Sequence, residues 1–136
     1  MRAETRHLLG WLALPLAAVA NAVLRDTTYG RRMGTTASHS LAVAPLAAFI
    51  LIWARVRQWR RPLPSRAAAA RAGLVWLALT LAFEFGMGAA RKVPAREMLA
   101  EYDVRRGHLW PLVPLAVAAA PLLAWRRSRS ATRAAG

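Results

Sequence analysis

The side chains able to do chemistry in this chain are few, and they stand apart among apolar neighbours. Glu84 is the one acid inside a long apolar run, between Phe83 and Phe85 and followed by Gly86 and Gly88. A carboxylate at membrane depth costs several kcal/mol unless it is paired, solvated or neutral. Asn21 and Arg25 lie one helical turn apart on a common face, at a similar height. Arg25 is therefore the expected ion-pair partner of Glu84, with Asn21 as a hydrogen-bond companion and Arg91 as a second, more exposed cation. His39 and His108 precede the second and fourth apolar runs, and Glu101 and Asp103 stand just before His108. The two imidazoles invite haem ligation, or a metal site shared with Glu101 and Asp103. Each lies at the start of a span, where histidines more often cap a helix or meet headgroups, so neither metal nor cofactor is expected. The expected ligand-binding or ion-pair cluster is thus Asn21, Arg25, His39, Glu84, Arg91 and Glu101. Tyr102, Asp103, His108 and Trp110 complete an outer cap.

The elements that must position these groups follow from composition. The chain has 136 residues, 57% of them hydrophobic, with 20 Lys+Arg against 6 Asp+Glu and no cysteine. Such a charge would suggest nucleic acid in a soluble domain, but here the arginines fall between long apolar blocks, which points to a bilayer. Without cysteine there is no disulfide, thiolate metal site or thiol nucleophile. No Walker loop, HExxH or GxSxG supports soluble-type catalysis. The expected fold is an all-α bundle of four transmembrane helices within residues 1–128, with spans at about 8–25, 38–57, 72–91 and 107–126. Pro111, Pro114 and Pro121 fall inside the fourth span, where membrane neighbours can satisfy the freed carbonyls. Residues 129–136 read as a disordered basic tail.

Twelve Lys and Arg fall on the side of both termini and the middle connection, against eight in the other two connections. The positive-inside rule then places both termini in the cytoplasm of a bacterial inner membrane. Trp11, Trp53, Trp59, Trp76 and Trp125 mark that side, and Trp110 the outer one. Arg55, Arg57, Arg60, Arg61, Arg66 and Arg71 are expected on anionic lipid headgroups, at about 1 kcal/mol each. In the third connection Pro94 opens a short interfacial helix running to about Asp103. The Ala20-Asn21-Ala22 stretch also suits cleavage of the first block as a secretory signal. An internal repeat argues against cleavage. Trp11-Leu12-Ala13-Leu14 recurs as Trp76-Leu77-Ala78-Leu79, and His39 with Pro45-Leu46-Ala47 recurs as His108 with Pro114-Leu115-Ala116. Two tandem helical hairpins are expected, related by an axis along the membrane normal.

The run Phe83-Glu84-Phe85-Gly86, with Glu97-x-Leu99-x-x-Tyr102-Asp103 and Arg106-Gly107-His108-Leu109-Trp110, resembles a group of small, uncharacterised bacterial four-helix integral membrane proteins. The resemblance covers most of the chain and implies an Asn-x-x-x-Arg at the end of helix one, matched by Asn21 and Arg25, and a histidine before helix two, matched by His39. That group tends to carry a basic residue where His108 stands, and it brings no activity with it. Small multidrug antiporters place their essential acid in the first helix, which here has Asn21 and Arg25. The membrane eicosanoid and glutathione enzymes carry a second-helix motif missing here.

The leading functional expectation is non-enzymatic binding, with or without transport, of a small polar molecule, proton or lipid headgroup around Glu84. A structural or accessory subunit held by a Glu84–Arg25 pair is the alternative, with a second copy or another membrane protein as partner. A small enzyme or electron carrier using His39 and His108 is the second alternative. The topology has a direct test. Ser65→Cys should be shielded from an impermeant thiol reagent outside intact cells and Thr35→Cys labelled; the reverse pattern inverts the orientation.

Overall fold

The computed structural model describes residues 3–134, and all of its regular structure is helical. Arg2, counted above among the cytoplasmic charges, and positions 135 and 136 of the expected tail lie outside the described residues. In chain order come α1 (Ala3–Leu9), a 3-10 turn (Gly10–Leu12), α2 (Ala13–Thr27), α3 (Thr35–Arg60) and α4 (Arg66–Ala90). Then follow α5 (Ala95–Ala100), a 3-10 turn (Val104–Arg106) and α6 (Leu112–Ala134). Three stretches among the described residues are long and apolar enough to cross a membrane, Thr5–Thr27, Thr35–Arg60 and Arg66–Ala90.

The fourth expected span is shorter than its apolar block. Proline lacks an N–H and is at home only in a helix's first turn, so Pro111 and Pro114 set the start of α6 at Leu112, leaving Pro121 alone inside. From there to Trp125 the apolar helix is about 21 Å long, against a hydrocarbon core of about 30 Å. The tail expected to be disordered instead continues α6 to Ala134, through alanine and arginine, both good helix formers.

Pro15 shapes the first span in the same way. Its ring crowds the carbonyl of Trp11 and offers it no donor, and the chain tightens into the 3-10 turn just before it, where the Ala13 amide reaches the Gly10 and Trp11 carbonyls. Carbonyls along this stretch then accept side chains from other helices. Arg57 donates to the Arg6 carbonyl, Trp76 Nε1 to that of His7 at 3.2 Å, and Trp53 Nε1 to that of Gly10 at 2.8 Å. Arg57 lies so close over Gly10 that a β-carbon there would overlap its Nε. Arg57 thus has an acceptor inside the protein, and Arg55, exposed, also donates to the Ala124 carbonyl at 3.3 Å.

The core joins α3, α4 and α6, with Ile50, Ala54, Trp76, Val117 and Ala120 at 1% exposure or less. α3 and α6 run in the same direction. Ser40 Oγ donates to the Gly107 carbonyl near their starts, and Gln58 Nε2 meets Ser128 Oγ near their ends. Between α3 and α4 the connection is tight. The Leu63 amide donates to Gln58 Oε1, and Ser65 caps α4 by accepting from the Ala68 amide at 3.1 Å.

The glycine that close packing requires is neither of the pair beside Glu84. A β-carbon on Gly86 would meet nothing, and one on Gly88 would meet the flexible Met98 side chain. One on Gly73 would lie 2.1 Å from the backbone carbonyl of Ala118, where α4 crosses α6. Gly73→Ala should therefore destabilise the protein by about 1–3 kcal/mol in a detergent unfolding titration, with Gly86→Ala near neutral. Equal effects would mean that the α4–α6 crossing yields.

Candidate functional site

α2 and α4 meet through the inner half of the first span and diverge beyond it. Trp11, in the 3-10 turn ahead of α2, donates from Nε1 to Thr80 Oγ1 at 2.9 Å and meets the Phe83 ring edge-on at 6.4 Å. Outward of it lies a cavity of about 460 Å3, within the range of small-molecule sites. Its α2 wall is Leu14, Pro15, Ala18, Ala22 and Arg25, and its α4 wall is Thr80, Glu84, Met87, Gly88 and Arg91. Apart from the adjacent Leu14–Pro15 and Met87–Gly88, both sets step by three or four residues, so each is one broad helical face. Leu46 and Ile50 of α3 and Val113 and Val117 of α6 close the back. At the rim Val19 is 50% and Met87 44% exposed, so the cavity opens sideways between two helices.

Glu84 lines this space as a half-buried side chain. Its Oε2 accepts from the Tyr102 hydroxyl at 2.8 Å and its Oε1 from Trp110 Nε1 at 2.6 Å. The expected pair with Arg25 is replaced. Arg25 Nε bonds to its own neighbour Asp26 at 2.7 Å, a contact that needs no reach across the bundle. Asn21 turns from Glu84 as well, donating to the Ala42 carbonyl of α3 at 2.9 Å. Asn21 lies outside the cavity lining, whereas Arg25, His39, Glu84, Arg91 and Glu101 all belong to it.

α5 and the turn after it are what bring the donors to Glu84. Met98 seats over Gly88, its side chain filling the place a β-carbon would take. The ring of Tyr102 then stacks on Phe85, with centroids 6.3 Å apart. Asp103 accepts from the Arg105 amide and pairs with Arg106, capping the 3-10 turn, and Gly107 takes a left-handed φ of 85° that redirects the chain toward α6. α5, Ala95–Ala100, is shorter than the helix expected to run to about Asp103.

His39 and His108 do converge, on one carboxylate. Their Nδ1 atoms lie 3.5 and 3.4 Å from the same Oε2 of Glu101, long electrostatic contacts that tie the start of α3 to the approach to α6. Among the described residues no group of three metal-ligating side chains forms, and Asp103 is engaged in its own turn. The reading from sequence did not include Thr80, Met98 or the donor role of Tyr102 and Trp110. Part of the signal for the last two was present, since a buried phenol or indole needs an acceptor, but Glu101 and Asp103 stand nearer in sequence than Glu84 and hid the pairing.

No protein-family model, curated protein or solved structure matches the chain.

Burial first, and then the hydrogen bond to Glu84 and its charge, push the Tyr102 hydroxyl well above the ordinary range for tyrosine. The neutral phenol is therefore favoured in the folded protein, and the stability it contributes is lost only as pH rises above the ordinary tyrosine value toward the raised one. In a Tyr29→Phe background, phenolate absorbance reports Tyr102 alone. Its alkaline titration should move down when Glu84→Gln is added. An unchanged curve would mean that the carboxylate does not hold the phenol.

Proposed function

We propose that the protein is a multi-pass inner-membrane protein of non-enzymatic type that binds an amphiphilic ligand in the α2–α4 cleft, with Glu84 as a fixed acceptor. The observation that carries this reading is the cleft itself. It is apolar below, ionisable above, and holds a carboxylate oriented by two neutral donors rather than offset by a cation. Neutral donors fix both oxygens but leave the charge and further lone pairs for a ligand. The alternative of a purely structural ion pair depended on Arg25, which bonds instead to Asp26.

The reading includes four membrane crossings in two tandem hairpins, both termini cytoplasmic. The register of the helices supports the repeat. α3 and α6 are bridged at sequence separations of 67, 69 and 70, and the first span and α4 at 69 twice. The α3–α6 separations lie close to the spacing of 69 from His39 and Pro45 to His108 and Pro114, while those of the first span and α4 exceed by four the spacing of 65 from Trp11 to Trp76. In this arrangement the non-helical residues before Leu112 complete the fourth crossing, and Arg60, Arg61 and Arg66 meet anionic headgroups at the inner face.

Native mass spectrometry of the protein released from its membrane tests the binding reading. Wild type should retain one lipid-sized adduct that Ala18→Trp, which fills the cleft, does not. Glu84→Gln should lower retention about tenfold, the loss of one charge-assisted hydrogen bond. A wild type as bare as the filled variant would remove the reading.

A further inference from the structure

Resting on that cleft reading, we infer that the ligand is a monoacyl glycerophosphate type of amphiphile from the outer leaflet, with its phosphate at Arg91, a free hydroxyl on Glu84 and one chain on the apolar back wall. Three observations order these parts along the cleft. Arg91 and Glu84 are seven residues apart on α4, so they share a face about 10 Å apart along its axis. Arg91, the residue that caps α4, lines the ionisable end of the same cleft with Arg25. Beneath Glu84 the lining turns apolar, at Leu14, Leu46, Ile50 and Val117.

Charge decides which part of a ligand meets which group. Arg25 and Arg91 both stand near Asp26, Arg25 bonded to it and Arg91 within reach of its charge, so two guanidiniums share one carboxylate. A phosphate at that end therefore meets two guanidiniums whose charge one carboxylate offsets only in part. Glu84 already accepts two neutral donors and repels an anion, so the ligand group beside it must be a donor. A glycerol hydroxyl lies between phosphate and chain, the order that the cleft presents. The volume of about 460 Å3 holds on the order of 15 water-sized groups, enough for one chain and too few for two.

The test uses the full-length protein in nanodiscs of neutral lipid and native mass spectrometry with added probes. Palmitoyl lysophosphatidic acid should bind one to one, about tenfold or more tightly than either monopalmitoylglycerol or dipalmitoyl phosphatidic acid. Arg91→Gln, at an exposed helix end, should erase the preference over monopalmitoylglycerol. Ala18→Trp, or Val19→Trp at the rim should the first not fold, should abolish binding of all single-chain probes. If the uncharged or two-chain probe binds equally, and the filled variants still block it, the ligand class is wrong while the cleft reading stands. If no probe shows binding that the filled variants block, both fall. Displacement of the bound probe by millimolar inorganic phosphate alone would assign a polar anion site and overturn the lipid.

Discussion

The arrangement depends on how the first span is held at one end only. Pro15 tightens the turn ahead of it, and the carbonyls of Arg6, His7 and Gly10 receive a guanidinium and two indole N–H groups from α3 and α4. His7 is wholly buried there with its ring against Trp76. In a medium without water each such donor must find an acceptor inside the protein, so these bonds are worth more than surface contacts. Trp11 and Thr80 form a further bridge. Beyond it α2 answers to α3, through Asn21 and Ala42, rather than to α4. The cleft is the space left by that change of partner.

The connection after α4 then turns a gap into a site. Met98 over Gly88, Tyr102 against Phe85, and the left-handed Gly107 deliver a phenol and an indole to the same carboxylate from two different segments. Glu101 does related work one level outward, joining the approaches to α3 and α6 through His39 and His108. Glu84 and Glu101 thus act as hubs for neutral or weakly basic donors, while Asp26 and Asp103 hold the guanidiniums of Arg25 and Arg106.

Much of this was legible in the sequence. The all-α class, the apolar helices and the gathering of His39, Glu84, Arg91 and Glu101 toward one end follow from block lengths and from the cost of polar groups in lipid. Partner choice was not legible. Several donors and acceptors share one level of a narrow bundle, and which of them meet depends on helix rotation and on short-range competition. Arg25 illustrates this, because Asp26 is adjacent in the chain and already at the right distance. Helix ends were misjudged where proline position mattered, since Pro111 and Pro114 start α6 rather than interrupt it. The close glycine was missed because Gly73 stands in an unremarkable Ala-rich run, and only the crossing with α6 singles it out.

On the proposed binding reading, the sideways opening between Val19 and Met87 changes what concentration means for this protein. A cleft that faces the bilayer draws from a two-dimensional reservoir, so its filling is set by the mole fraction of ligand in one leaflet and not by molarity in water. Diluting the surrounding buffer leaves such occupancy unchanged, whereas adding bulk lipid lowers it. Raising the number of copies in a fixed area of membrane lowers it as well, because the copies divide a finite supply.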